Sequence, residues 1–141
     1  MFTGSYPLSV DDKGRIAIPA RVRQQLSEGH GPQLFMTRGP DRSIEIYPAA
    51  TFQALALQIQ ELADRKAAEL LKKIFIGHAT DVEIDKQGRV LLPSMLREHA
   101  RIEADACLVG QITRLDVWAA ELWKGEGEAD GLSDAFAMLK R

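Results

Sequence analysis

The chain has 141 residues, 45% of them hydrophobic and 27% charged, with a formal net charge of −2 at pH 7. These fractions are ordinary for a soluble protein and the net charge does not advertise a nucleic-acid binder, while a chain this long buries roughly 68–70% of its unfolded surface, enough for one domain or two small ones. No apolar run approaches the ~20 residues of a membrane helix, because Asp64, Arg65, Lys66 and Glu69 interrupt the longest apolar-rich stretch, so no membrane partner is expected. The start of the chain lacks a basic region followed by an apolar one, and no secretory signal is expected. Cys107 is the single cysteine, which rules out a disulfide within the chain and points to a reducing, cytoplasmic setting. The small net charge hides an uneven distribution. Residues 13–23 carry Lys13, Arg15, Arg21 and Arg23 with no acid, residues 86–101 carry Lys86, Arg89, Arg97 and Arg101 against Glu98, and residues 121–134 are acidic. Local potential, more than the sum, governs what such a surface attracts.

In chain order, residues 6–18 read as a β-hairpin. Leu8 and Val10 alternate with Ser9 and Asp11, then Ile16 and Ile18 alternate with Arg15 and Ala17, around an Asp-Asp-Lys-Gly turn in which Gly14 is free to take positive φ. Pro19 suits the first position of a short helix over about 20–26, which Gly29, Gly31 and Pro32 end. Residues 34–36 and 44–47 read as two strands around a Gly39-Pro40-Asp41 turn. Next comes a helical stretch with Phe52, Leu55, Ile59 and Leu62 on one face, a break near Asp64, and a second apolar face of Leu70, Leu71, Ile74 and Phe75. Val82 and Ile84, then Val90 and Leu92, mark two strands, and Pro93 opens a helix to about residue 100. Residues 107–109 and 115–118 supply the last strands, residues 121–131 form a Gly- and acid-rich stretch, and 132–139 suit a short terminal helix.

This order is one unit written twice. Asp11-Asp12-Lys13-Gly14-Arg15-Ile16-Ala17-Ile18-Pro19 returns as Asp85-Lys86-Gln87-Gly88-Arg89-Val90-Leu91-Leu92-Pro93, 74 residues on (85 − 11), and Arg97 matches Arg23. At the final strands the offset falls to 71, with Ile46 meeting Val117 and Tyr47 meeting Trp118, so the turn between them is expected to be three residues shorter in the second copy. The expected fold is mainly β with short helices (α+β), built from two tandem β-β-α-β-β repeats at 5–48 and 78–121, a helical connector at 49–77, and an acidic, partly disordered tail at 122–141. About 45 residues per repeat is marginal for folding alone, which favours an intramolecular pseudo-dimer in which the copies cover each other's apolar faces.

A repeated apolar position reports a repeated core, whereas a repeated arginine beside a glycine turn reports a repeated surface. If Ile16 and Ile18 face the core, the pleat turns Arg15 outward at the hairpin tip, and the same holds for Arg89 opposite Val90 and Leu92. Asp11 and Asp85 can cap turn N–H groups or hold the arginines extended, with Gly14 and Gly88 shaping the turns. Paired arginine tips are suited to duplex DNA, with Arg15 and Arg89 at guanine edges and Lys13, Lys86, Arg21, Arg23 and Arg97 at or near phosphates. The copies are unequal, since Gln87 replaces Lys13, Met95 replaces Arg21 and Leu91 replaces Ala17.

The opening Met1-Phe2, Gly4 and Tyr6, together with the two Asp-x-x-Gly-Arg motifs, resemble the bacterial MraZ family over about residues 1–124, and the single repeat resembles the AbrB/MazE swapped-hairpin domain. The resemblance implies a double-split β-barrel and a cytoplasmic, nucleoid-associated transcriptional regulator that assembles into rings. It implies short direct DNA repeats upstream of its own division and cell-wall operon as the target. The family's Asp-x-x-x-Arg signature falls on Asp11 and Arg15, and on Asp85 and Arg89. No cofactor and no metal are expected.

Three other readings compete. A hydrolytic or metal site could use Asp81, Glu83 and Asp85 near His78, but solvated edge charges explain that cluster more simply; His30 and His99 stand isolated, and no phosphate loop, Ser-His-Asp order or Cys-x-x-Cys occurs. An antitoxin-like module would bind DNA through the hairpins and a protein through the tail. An interaction scaffold would leave the arginines dispensable.

Overall fold

A computed structural model describes residues 1–28, 31 and 33–141, and for Glu128 the backbone alone; Gly29 and Pro32, expected to end the first helix, and the isolated His30 lie outside the described residues. Among the described residues eight strands and six α-helices follow in order. They are β1 (Ser5–Ser9), β2 (Arg15–Ala17), α1 (Ala20–Ser27), β3 (Gln33–Arg38), β4 (Ser43–Pro48), α2 (Ala49–Glu61), α3 (Arg65–Leu71), β5 (Thr80–Glu83), β6 (Arg89–Leu91), α4 (Ser94–Ala100), β7 (Asp105–Gly110), β8 (Leu115–Ala119), α5 (Ala120–Trp123) and α6 (Leu132–Ala137). A π turn (Lys72–Ile76) extends α3, and a 3-10 turn (Glu126–Glu128) precedes α6. Among the described residues no helix is long and apolar enough to cross a membrane.

Residues 6–18 do not form a hairpin ladder. β1 pairs antiparallel with β7, Tyr6 opposite Leu108, while β2 pairs with β6, Ile16 opposite Val90. The chain turns tightly at Asp11–Arg15, but each arm finds its partner in the other copy. A two-stranded hairpin alone is marginal in water, and exchanged arms bury apolar faces that a local hairpin would leave wet. The large sheet runs β1-β7-β8-β4-β3-β5, with β2-β6 as a separate ribbon. Exchanging the copies turns β1 into β5, β7 into β3 and β8 into β4, and leaves this order unchanged.

The register also redistributes the missing three residues. Met36 pairs with Ile46 as Leu108 pairs with Val117, so β3 maps onto β7 with an offset of 72 (108 − 36) and β4 onto β8 with one of 71 (117 − 46). Only one residue is therefore lost in the turn between the last strands; the other two are lost between helix and strand, where a loop absorbs length at little entropic cost.

Each element follows its sequence locally. Pro7 lacks an amide donor and lies on an edge strand, where none is needed. The opposite edge, β5, exposes Asp81 and Glu83, charges that discourage edge-to-edge pairing. Pro19 and Pro93 cap their helices from just outside, at ψ 144° and 142°, one position earlier than the first helical turn. Val22 and Leu26 bury the inner stripe of α1, and Leu96 and Ala100 that of α4. Asp64 breaks the connector and caps α3, its Oδ1 accepting the Ala67 N–H at 3.0 Å. Phe52 of α2 stacks on Phe35 of β3, with ring centroids 4.5 Å apart, and so seats the connector on the sheet.

One apolar cluster joins Ile16, Ile18, Leu34, Met36 and Ile44 of the first copy to Val90, Leu92, Leu108, Leu115 and Val117 of the second. Ile16 and Leu92 are wholly buried, each contributing about 1.5–3 kcal/mol of transfer free energy. With the core and both ladders shared, residues 1–62 and 63–141 expressed apart should each lack a monomeric fold, and mixing them should restore the β signal in circular dichroism. Cooperative unfolding of either half as a monomer would refute this interdependence.

Candidate nucleic-acid interface

The outward face of the β2–β6 ribbon is the candidate site. Its register sets Ile16 against Val90, both buried, so the alternate residues Arg15, Ala17, Arg89 and Leu91 share the outer face. Arg15 lies opposite Leu91, and Ala17 opposite Arg89, which brings the two repeated arginines onto one small surface from separate halves of the chain.

The turns that launch them are built alike. Asp11 Oδ1 accepts the N–H groups of Lys13 at 3.0 Å and Arg15 at 2.8 Å, and Asp85 Oδ1 accepts those of Gln87 at 2.8 Å and Arg89 at 2.9 Å. The Gly14 N–H donates to the Asp11 carbonyl, and Gly88 to that of Asp85, each at 3.0 Å. The Arg15 backbone N–H, helped by its guanidinium, holds the Asp11 carboxyl below the usual carboxylate range; the Arg89 backbone N–H does the same for Asp85.

The arginines differ in how they are held. Arg15 Nε donates to Asp11 Oδ2 at 2.8 Å. Arg89 Nε stands 3.5 Å from Asp85 Oδ2, its Nη1 reaches across to Asp11 Oδ2 at 3.9 Å, and its Nη2 donates to Gln87 Oε1. Gln87, present where the first copy has Lys13, thus takes part of the hydrogen bonding that Asp11 alone supplies to Arg15. The Nη atoms of Arg15 have no ion-pair or hydrogen-bond partner among the described residues.

Arg23 and Arg97 do something the sequence did not reveal. Arg23 Nε donates to the Ile18 carbonyl at 3.0 Å and Arg97 Nε to the Leu92 carbonyl at 2.9 Å, clasping each strand-to-helix junction. Their guanidiniums then cover the opposite copy's turn. A Cβ added to Gly14 would fall 2.7 Å from Arg97 Cζ, and one on Gly88 2.9 Å from Arg23 Nη1. Both glycines also hold positive φ, 87° and 80°. Glycine is therefore required twice over, for backbone hand and for a flat seat under an arginine. The backbones add cross-copy bonds from the Ile18 N–H to the Gly88 carbonyl at 2.8 Å and from the Leu92 N–H to the Gly14 carbonyl at 2.9 Å. Lys13 and Lys86 are exposed in their turns and Arg21 is exposed at the start of α1. At the position matching Arg21, Met95 is exposed, as is Leu91 on the ribbon.

Asp85, bound into its turn, does not join Asp81 and Glu83; among the described residues no group of three His, Cys, Asp or Glu side chains could hold a metal ion. Sequence reasoning also missed a buried polar cluster at the centre of the sheet. Glu45 lies directly opposite Asp116, Arg114 stands 3.4 Å and 2.8 Å from the two, and the Tyr47 hydroxyl donates to Glu45 at 2.7 Å. Burial pushes the Glu45 carboxyl and the Tyr47 phenol upward. Single charged residues in a strand carry no periodic signal, so nothing in the sequence singled them out.

An α+β chain with two copies of one turn-and-ribbon unit, their arginines brought together on an outer ribbon, is a tandem-repeat protein whose halves share one surface. The family model described as "MraZ protein, putative antitoxin-like" matches residues 1–74 and 75–129. Similar chains include the transcriptional regulators MraZ of Legionella pneumophila strain Corby (39% identical over 130 residues, 91% of this chain and 86% of that one), Symbiobacterium thermophilum (39% over 129 residues, 91% of each chain) and Marinomonas sp. (36% over 142 residues, 99% and 94%). The chain belongs to the MraZ family.

Gly14→Ala should cost about 1–2 kcal/mol for left-handed backbone alone, more if Arg97 is displaced, read as a lowered midpoint of denaturant unfolding; an unchanged midpoint would count against the double requirement. Because the folded carboxyls of Asp11 and Asp85 titrate below their unfolded values, their stabilisation is present at neutral pH and lost only as pH falls through the lowered values. Carboxyl carbon shifts in an acid titration should place both below the usual carboxylate range; ordinary values would contradict the capped geometry.

Proposed function

We propose that this chain is a DNA-binding transcriptional regulator that reads duplex DNA through the β2–β6 ribbon. The observation that carries the reading is the placement of Arg15 and Arg89 on one outward face, above a buried Ile16–Val90 pair. A two-stranded ribbon fits the major groove, where an arginine meets guanine O6 and N7 with two parallel donors. Asp11 engages the Nε of Arg15 and leaves its Nη pair for such an edge. Lys13, Lys86 and Arg21 serve phosphates; Arg23 and Arg97 brace the turns and offer spare donors at the margin. The relatives' shared name, transcriptional regulator, supports regulation rather than catalysis as the role.

In this reading the two repeats, 5–48 and 78–121, form an intramolecular pseudo-dimer of double-split β-barrel type; exchanged pairing and a common core favour it. The 49–77 connector and the 122–141 tail lie outside that unit. The protein works in the cytoplasm at the nucleoid, as a homo-oligomeric ring on short direct repeats upstream of its own operon. Several weak ribbons on one ring act together, because each contact after the first is intramolecular. A net charge of −2 then matters less than the local cationic face. The antitoxin-like part of the family description supports a second reading, in which the tail also captures a partner protein.

Arg15→Ala and Arg89→Ala should keep the fold and each lose ~1–3 kcal/mol of DNA affinity per contact, with the salt slope set by the phosphates neutralised at about −0.9 each. Mobility shifts on the gene's upstream DNA at several salt concentrations test this. Unchanged affinity in both variants would remove the ribbon as the reading surface.

A further inference from the structure

The connector carries an apolar ridge that its own chain leaves uncovered. Leu70 and Leu71 end α3, Ile74 and Phe75 lie in the π turn beyond, and Leu70 remains 61% exposed. A groove of about 410 Å³ runs along the ridge between these side chains and the β3–β4 corner at Arg38 and Pro40. A second groove, about 250 Å³, lies on the other side, between Leu71 and Phe75 and the α2 residues Leu55 and Ile59. Contiguous apolar surface of this kind marks a docking site.

The larger groove has Arg38 in its wall, and lysines stand near Leu70 along the connector. Lys66 stands four residues before Leu70, on its side of α3, and Lys73 three after it, in the π turn. Neither has an ion-pair partner among the described residues, whereas Lys72 is already bound to Glu69 at 3.2 Å. Arg38 is the clearest case, its Nε enclosed by protein without a hydrogen-bond partner among the described residues. An enclosed donor left unmatched costs free energy that an incoming acceptor would recover. The one acid in the wall, Glu45, is already engaged by Tyr47 and Arg114.

The end of the chain holds the complement. Leu132, Phe136 and Leu139 recur at i, i+4 and i+7 along α6 and the turn after it, 48%, 46% and 59% exposed, and α6 buries none of its residues. Acids precede and enter the helix, with Glu126, Asp130 and Asp134 lacking ion-pair partners among the described residues, while Lys140 and Arg141 follow it and the Arg141 guanidinium lies 5.1 Å from the centre of the Phe136 ring. Six residues are too few for a helix to persist in water by itself, so this stripe needs a surface to lie on.

We propose that α6 of one copy docks in the connector groove of a second copy of this chain. Leu132, Phe136 and Leu139 enter between Leu70, Leu71, Ile74 and Phe75, and Asp130 and Asp134 meet Lys66, Lys73 and Arg38. The occupant is a second copy because both surfaces belong to one sequence and match in apolar character, the acids at the start of α6 complement Arg38 and the connector lysines, and within the chain the stripe meets the Arg141 guanidinium rather than an apolar surface. Helix and groove are different patches, so the contact is head-to-tail, and repetition closes a ring or runs on as a filament. This contact rests on the homo-oligomer reading above and names how that oligomer is held.

The test uses full-length protein in size-exclusion chromatography with light scattering. Phe136→Asp spoils only the helix, and Leu70→Asp, at an exposed position, spoils only the groove. Each alone should raise the dissociation constant of the assembly by on the order of 10–100-fold and leave circular dichroism unchanged. An equimolar mixture should recover a heterodimer and nothing larger, since it contains one intact helix and one intact groove per pair. Assembly that survives both substitutions, or a mixture that stays monomeric, overturns this contact and leaves the oligomer standing. A wild-type chain that is monomeric throughout, including one whose α6 closes on its own groove, removes the oligomer together with the contact.

Discussion

Three residues from each copy, Arg15–Ala17 and Arg89–Leu91, pair into a ribbon, and that pairing dictates where both glycine turns lie. Once Ile16 meets Val90 in the core, the pleat leaves Arg15 and Arg89 no inward option. The same pairing brings each turn under the other copy's helix, where Arg97 covers Gly14 and Arg23 covers Gly88. The turns are thus held by the opposite half of the molecule, through a backbone bond and a guanidinium lid each. A surface assembled this way is stiff without a long hairpin behind it, which suits a group that must meet a partner with its donors already aimed.

The carboxylates give that surface its asymmetry. Asp11 binds Arg15 at 2.8 Å and also attracts Arg89 at 3.9 Å, while Asp85 holds Arg89 only loosely, at 3.5 Å. Arg89 is shared among three acceptors where Arg15 has one close carboxylate. In the proposed complex Arg15 would approach a base edge with its geometry set, and Arg89 would first have to give up Gln87. The first copy also has Lys13 and Arg21 where the second has Gln87 and Met95. Both differences favour the first copy as the stronger contact and leave Leu91 and Met95 as exposed apolar neighbours of the second.

Much of the ribbon and turn geometry was legible because its determinants are local. The alternation around Ile16 and Val90, the Asp-to-Gly turns and the recurrence of Arg15 as Arg89 all follow from short-range periodicity and backbone rules. Strand partners were not legible in the same way. Leu8 and Val10 look alike whether they pair with their own hairpin or with β7, since alternation encodes a buried face and not its owner. Arg23 and Arg97 were read as part of the cationic surface because only the exchanged pairing reveals a glycine beneath each guanidinium. The location of the missing loop residues likewise needed the ladder register, because a shrinking offset does not say which loop has shortened.

The weak net charge is reconciled by where the acids sit. Asp11 and Asp85 are bound into their turns, facing N–H groups and their own arginines, so they organise the cationic ribbon more than they oppose it. Glu45 and Asp116 are buried around Arg114 at the centre of the sheet. A further run of acids, Glu121, Glu126, Glu128, Asp130 and Asp134, stands near the end of the chain, before and within α6. A uniform scatter of the same charges would suit neither the proposed polyanion face nor the proposed contact between tail and connector. At physiological ionic strength, where exposed charges more than about 8 Å apart are largely screened, each patch acts nearly independently of the total. A chain can therefore carry slightly more acid than base and still offer, on one ribbon three residues long, a surface fit for a phosphate-lined groove.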